Sequence, residues 1–98
     1  MKYEFHPEAE VEFIETILFY ETQALGLGER FAGEVQRAIE RVLLHPKIGA
    51  LDEEGFRKWV LDSFPYTLRY TEKDDVVYLL VVESQHRLPG YWKSRIVR

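Results

Sequence analysis

The chain has 98 residues, 46% hydrophobic, 31% charged and 14% aromatic, with no cysteine and a formal net charge of −4. That length supports one core, so a single domain over residues 1–98 is expected. The lack of cysteine excludes disulfide frameworks, thiol nucleophiles and thiolate zinc sites, and the acidic balance argues against a general nucleic-acid binder.

The charge is unevenly placed. Residues 1–55 carry 12 acidic and 5 basic side chains, whereas residues 56–98 carry 5 acidic and 8 basic ones. After Glu83 there is no acid at all, and His86, Arg87, Lys93, Arg95 and Arg98 fall in that stretch. An acidic half is thus joined to a basic half, which leaves room for a local phosphate or acidic-partner site. No apolar run approaches the ~18 residues of a membrane span, and the first residues hold no signal-peptide core. A cytoplasmic protein without membrane contact is expected.

In chain order, Lys2-Tyr3-Glu4-Phe5 alternates in polarity and reads as a short strand ending at His6-Pro7, where proline suits the first turn of a helix. Glu8, Glu10 and Glu12 follow, placed where the helix dipole favours carboxylates. Apolar residues recur at Val11, Ile14 and Leu18 and at Ala9, Phe13, Ile17 and Tyr20, predicting a helix of about four to five turns with a broad core-facing stripe. Gly26-Leu27-Gly28 breaks it. Phe31, Val35, Ala38, Ile39, Val42 and Leu43 then predict a second helix, ended by His45-Pro46, and the short connection makes the two antiparallel neighbours. Glu29, Arg30, Glu34, Glu40 and Arg41 read as the solvated face of this hairpin.

Lys47 to Gly55 reads as a loop containing the acidic run Asp52-Glu53-Glu54. Three strands are predicted after it, Phe56–Leu61, Tyr66–Glu72 and Val76–Glu83, the last two joined by a tight turn at Lys73-Asp74-Asp75. Val76 to Val82 is apolar at both parities, as in a strand buried on both faces. The expected fold is α+β: a helical hairpin packed on one face of a small antiparallel sheet, in the order β-α-α-β-β-β with a basic C-terminal tail. The other face of the sheet should be partly open.

The common catalytic constellations are missing. There is no glycine-rich phosphate loop, no HExxH and no GxSxG; Ser63 and Ser84 stand in no nucleophile setting, and His6, His45 and His86 lack metal-ligand spacing. No metal or cofactor is expected. What remains is a basic and aromatic set: Arg57, Lys58, Arg69, His86, Arg87, Tyr91, Trp92, Lys93 and Arg95. Arg57 and Arg69 on adjacent strands could share the open face, with His86 and Arg87 brought near them by the tail. Such a cluster could grip a phosphate, and His86 or Tyr91 could move protons for metal-free RNA cleavage. The plainer readings are that Tyr91 and Trp92 pin the tail to the core, that Arg57 and Arg69 are exposed strand residues, and that Trp59 and Tyr66 pack.

The order and spacing of several motifs resemble the RelE/ParE toxins of type II toxin–antitoxin systems. These are Phe5-His6-Pro7-Glu8-Ala9, Gly26-Leu27-Gly28 with Phe31, His45-Pro46, Arg57-Lys58, Phe64-Pro65-Tyr66 with Tyr70, and Arg87-Leu88-Pro89-Gly90-Tyr91-Trp92 with Arg95. The resemblance implies a small bacterial toxin held inactive by a cognate antitoxin. RelE-like members cut messenger RNA on the ribosome without metal, and ParE-like members inhibit DNA gyrase. The long helical hairpin, the Phe64-Pro65-Tyr66 strand and the acidic net charge lean towards the ParE-like branch. Relatives with this ending carry a histidine and two arginines before the proline; here Ser84, His86 and Arg87 stand at those positions, so Arg87 is the functional residue the resemblance supports best. The expected mode is binding to gyrase or a similar target through Arg57, Lys58, Arg69, Arg87, Tyr91, Trp92 and Arg95. The alternatives are a ribosome-dependent endoribonuclease using His86 or Tyr91, and a degenerate toxin that retains only antitoxin binding.

Overall fold

A computed structural model describes residues 1–96, so Arg98 of the basic tail lies outside the described residues. Strand β1 (Lys2–Phe5) stops at His6, whose Nδ1 accepts the Glu8 amide hydrogen at 3.1 Å and caps helix α1 (Pro7–Gln23), with Pro7 in its first turn. The reversal into helix α2 (Leu27–Leu44) is built on Gly26, whose φ of +83° suits a residue without a Cβ. One carboxylate fastens it: Glu21 accepts from the Gly26 amide at 2.9 Å and the Gly28 amide at 3.0 Å, satisfying two N–H groups at the start of α2. Gly28 lies inside α2, and a Cβ there would collide with the Ile17 carbonyl, so the two helices meet at backbone distance.

Strands β2 (Ala50–Leu51), β3 (Arg57–Val60), β4 (Tyr66–Lys73) and β5 (Val76–Ser84) complete a five-stranded sheet in the order β1-β5-β4-β3-β2. Pairing is antiparallel from β2 to β5, as expected, but β1 runs parallel to β5 and makes the sheet mixed. Parallel neighbours need a long crossover, and everything from α1 to β4 lies between these two strands. Asp74 and Asp75, with φ of 54° and 66°, form the two-residue turn of the β4–β5 hairpin. The short β2 was not expected. It is held in place by Tyr70, whose hydroxyl accepts from the Gly49 amide at 2.9 Å and donates to the Pro46 carbonyl at 2.8 Å.

The core lies between the hairpin and one face of the sheet. The predicted stripe of α2, Phe31, Val35, Ala38, Ile39 and Val42, is buried against Leu68, Tyr70, Val77, Leu79 and Val82. Helix α1 departs from expectation. Ala9 and Thr16 are buried and Phe13, Ile17 and Tyr20 are half-buried, while Val11, Ile14 and Leu18 point to solvent. At about 100° per residue these two sets occupy opposite sides of the helix, and the sheet can cover only one of them.

Candidate functional site

The face of the sheet turned away from the helices is shaped by one irregularity. Arg69 pairs with Val81 and Tyr70 with Leu79, leaving Leu80 as an unpaired bulge residue in β5. Leu80 and Val81 form a small apolar cluster there, and the tail crosses back to seal it with Trp92, which is 2% exposed and meets Phe56 edge-on at 6.2 Å. Trp92 is therefore the anchor of the tail, and it covers part of the face expected to be partly open.

A second constraint comes from where β1 ends. Its last pair is Phe5 with Leu79, so among the described residues the outer edge of β5 beyond that point has no neighbouring strand. Glu12 and Arg95 take the strand's place. Glu12 Oε1 accepts from the Val82 amide at 3.0 Å, and Arg95 Nη1 donates to the Leu80 carbonyl at 2.9 Å, satisfying two groups of the exposed edge. The two side chains also bind each other and Tyr91, whose hydroxyl donates to Glu12 Oε2 at 2.6 Å. Burial, and then the hydrogen bond and charge of Glu12, push the Tyr91 phenol well above its ordinary range. The Arg95 guanidinium is raised chiefly by its hydrogen bonds to Glu12, against the opposing effect of burial.

The remaining sequence-predicted residues fall into three places. Arg69 lies over Trp92, 4.9 Å from the ring centroid, and is paired with Glu83 at 2.7 Å and Asp52 at 3.6 Å. Lys58 stands directly opposite Arg69 on β3 and is exposed. Arg57 pairs in register with Tyr70, so strand alternation turns it to the opposite face, where Nη1 donates to the carbonyls of Gly49 at 2.9 Å and Lys47 at 3.2 Å. The expected sharing of one face by Arg57 and Arg69 does not hold: a separation of 12 positions is set by the register, which places Lys58 with Arg69 instead. Arg87 and His86 are exposed in the connection after β5. The Arg87 guanidinium lies 3.9 Å from the centroid of the Tyr91 ring, a cation–π geometry. Lys93 reaches Glu54 at 3.0 Å across the surface.

Glu12 is the site residue that sequence reasoning missed, having been read only as one of three early-helix carboxylates. A signal existed. Glu12 lies on the track of Ala9, Phe13 and Thr16, at spacings of three and four, and is the acidic residue of α1 placed on that inward row.

Among the described residues, no group of three or more His, Asp or Glu side chains could hold a metal ion, and no helix is long and apolar enough to cross a membrane. Among the described residues, a two-helix hairpin over a five-stranded mixed sheet, in the order β-α-α-β-β-β-β once the short β2 is counted, is consistent with the RelE/ParE fold. The model of the family described as the ParE toxin of the type II toxin–antitoxin system parDE matches residues 3–89, and the chain belongs to that family. Comparison with individual curated proteins gives no match. The matched span stops short of Tyr91, Trp92 and Arg95.

Proposed function

We propose that this toxin acts by binding: an exposed surface centred on Arg87 docks onto a bacterial target such as DNA gyrase, and the cognate antitoxin neutralises it by covering that surface. The observation that carries this reading is the state of Arg87. It is exposed, has no carboxylate partner among the described residues, and stacks on a tyrosine that Glu12 holds in place. An exposed arginine stacked on an aromatic base is the kind of side chain that dominates protein interfaces. Lys58 adds exposed positive charge on β3. Arg57, Arg69, Trp92 and Arg95 act from beneath, because their polar or aromatic groups are engaged within the fold.

The same facts weigh against the nuclease reading. A scissile phosphate needs several cations on one face, and Arg69 and Arg95 are already matched by carboxylates, while Arg57 faces the other way. The Tyr91 hydroxyl donates a hydrogen bond to Glu12 and keeps its proton well above neutral pH, which makes it a poor base. Gyrase supercoiling assays with purified toxin test the proposal: inhibition is expected, and its absence at saturating toxin would overturn it. Primer extension on messenger RNA after induction, showing discrete cuts within translated codons, would establish the nuclease instead.

A further inference from the structure

The face of the sheet turned away from the helices holds a hollow that none of the Arg87 surface lines. Val77 and Leu79 belong to the core on the helix side, so strand alternation turns Tyr78 and Leu80 to this outer face. They line a cavity of about 600 Å³ together with Phe56 and Thr71. Leu80 is 3% exposed, and Tyr78 and Phe56 are half-buried, so the floor is apolar and aromatic while the lip stays open to solvent. The strand register bounds it along β1: the Lys73-Asp74 turn lies at the start of that strand, and His6-Pro7 at its end.

The lining specifies the charge of what fits. Glu4 stands beside Tyr78 in register, and Glu72 and Asp74 lie at the turn end. All three carboxylates are exposed, and among the described residues none of them is in an ion pair. Lys73 is the lysine or arginine of the lining, so negative charge prevails there. The aromatic floor acts in the same direction, because the faces of tyrosine and phenylalanine rings attract cations. An aromatic cavity and unpaired carboxylates thus favour the same occupant independently of each other.

We propose that this cavity binds a small organic amine, whose ammonium group meets Glu4 and the turn carboxylates and whose apolar or aromatic body lies on Tyr78, Phe56 and Leu80. The occupant is a free small molecule because the cavity is closed off at both ends of β1 and its volume falls within the roughly 300–1,000 Å³ of small-molecule sites. Lys73 is the competitor built into the chain, since its own ammonium group reaches the same lining. The site uses none of Arg57, Lys58 or Arg87, so the proposal stands whether or not the toxin binds gyrase.

The test follows the amide resonances of the isotope-labelled full chain by NMR as probes sharing one ring are added: tyramine, the neutral para-ethylphenol and the anionic hydroxyphenylpropionate. Tyramine is expected to bind at least about tenfold more tightly than either of the others, with the advantage shrinking at high salt and the shifts centred on Glu4, Thr71, Asp74 and Tyr78. Glu4→Gln, at an exposed position, is expected to weaken tyramine binding several-fold, and so is Tyr78→Leu, which keeps an apolar side chain on the strand but removes the ring. Lys73→Met is expected to strengthen it. The same spectra show that each variant is folded. Equal or tighter binding of ethylphenol or hydroxyphenylpropionate, shifts confined to residues outside the cavity, indifference to both Glu4→Gln and Tyr78→Leu, or weaker binding to Lys73→Met would overturn the proposal. So would tighter binding of a blocked glycine-lysine-glycine peptide, since the occupant would then be a protein side chain.

Discussion

Glu12 and Arg95 stand 83 positions apart and meet in a bidentate pair, with Nη1 to Oε1 at 3.0 Å and Nη2 to Oε2 at 2.7 Å. The Arg95 side chain is 6% exposed and that of Glu12 is 15% exposed, so the pair is largely shielded from solvent. It joins the first helix, the unpaired edge of β5 and the tail into one unit, and it fixes the ring on which Arg87 rests.

Removing either partner strands the other charge against the sheet edge. Glu12→Ala or Arg95→Ala is expected to cost about 3–5 kcal/mol, the range for breaking a buried pair from one side. The double variant Glu12→Ala with Arg95→Ala is expected to cost less than the sum of the single changes, read from urea unfolding as a double-mutant cycle. Additive losses would show that the two side chains do not act together.

Alkaline pH reports on Tyr91. Burial, then Glu12, raises its phenol, and burial also raises that of Tyr70. In the folded state both keep their protons at pH values where the unfolded chain, with phenols near about pH 10, has lost them. The folded state then binds more protons than the unfolded state, so stability that is fully present below about pH 10 falls as pH rises through and above it. The urea midpoint is expected to drop over that window, with a shallower drop in Tyr91→Phe. An identical slope in Tyr91→Phe would contradict the assignment.

The β4–β5 turn holds two aspartates at φ of 54° and 66°, a conformation in which glycine is not strained. Asp75→Gly is expected to gain about 0.5–1 kcal/mol, seen as a thermal midpoint a few degrees higher; a loss would show that the Asp75 side chain makes a contact that matters.

Glycine to alanine inside a helix ordinarily gains stability, by about 1 kcal/mol. Gly28→Ala is expected to reverse that sign and cost about 1–3 kcal/mol, because the new methyl group meets the Ile17 carbonyl, which is backbone and cannot swing away. Chemical denaturation of the variant measures this directly, and a stabilised Gly28→Ala would show that the helices can separate freely.

What could be read from the sequence was what local pattern encodes. The α2 stripe from Phe31 to Val42, the β4 and β5 runs and the Asp74-Asp75 turn each carry their own periodicity or turn chemistry, and each formed where expected. Helix α1 did not declare its buried side, because Val11, Ile14 and Leu18 balance Ala9, Phe13 and Ile17 on the opposite face. The parallel pairing of β1, the face taken by Arg57 and the union of Glu12 with Arg95 depend on register and long-range closure, and no local spacing encodes those. The Leu80 bulge adds to this by shifting the alternation of β5 partway along its length, which a continuous apolar run conceals. In the candidate site, Trp92 was legible as an anchor because a large aromatic in a polar tail needs burial. Glu12 was concealed among its neighbouring glutamates.

The measurement that bears most directly on the proposed binding mode compares wild-type toxin with Arg87→Ala in a gyrase supercoiling assay, alongside thermal unfolding of both. Arg87 is exposed and, among the described residues, its one stabilising side-chain contact is the stack on Tyr91, so the unfolding midpoint is expected to fall by only a few degrees, for a loss of about 0.5–1 kcal/mol. The concentration needed for half-inhibition is expected to rise about tenfold or more, as for the loss of a central interface arginine. Inhibition by Arg87→Ala equal to wild type, or a wild-type toxin that leaves supercoiling untouched at saturation, would contradict the account.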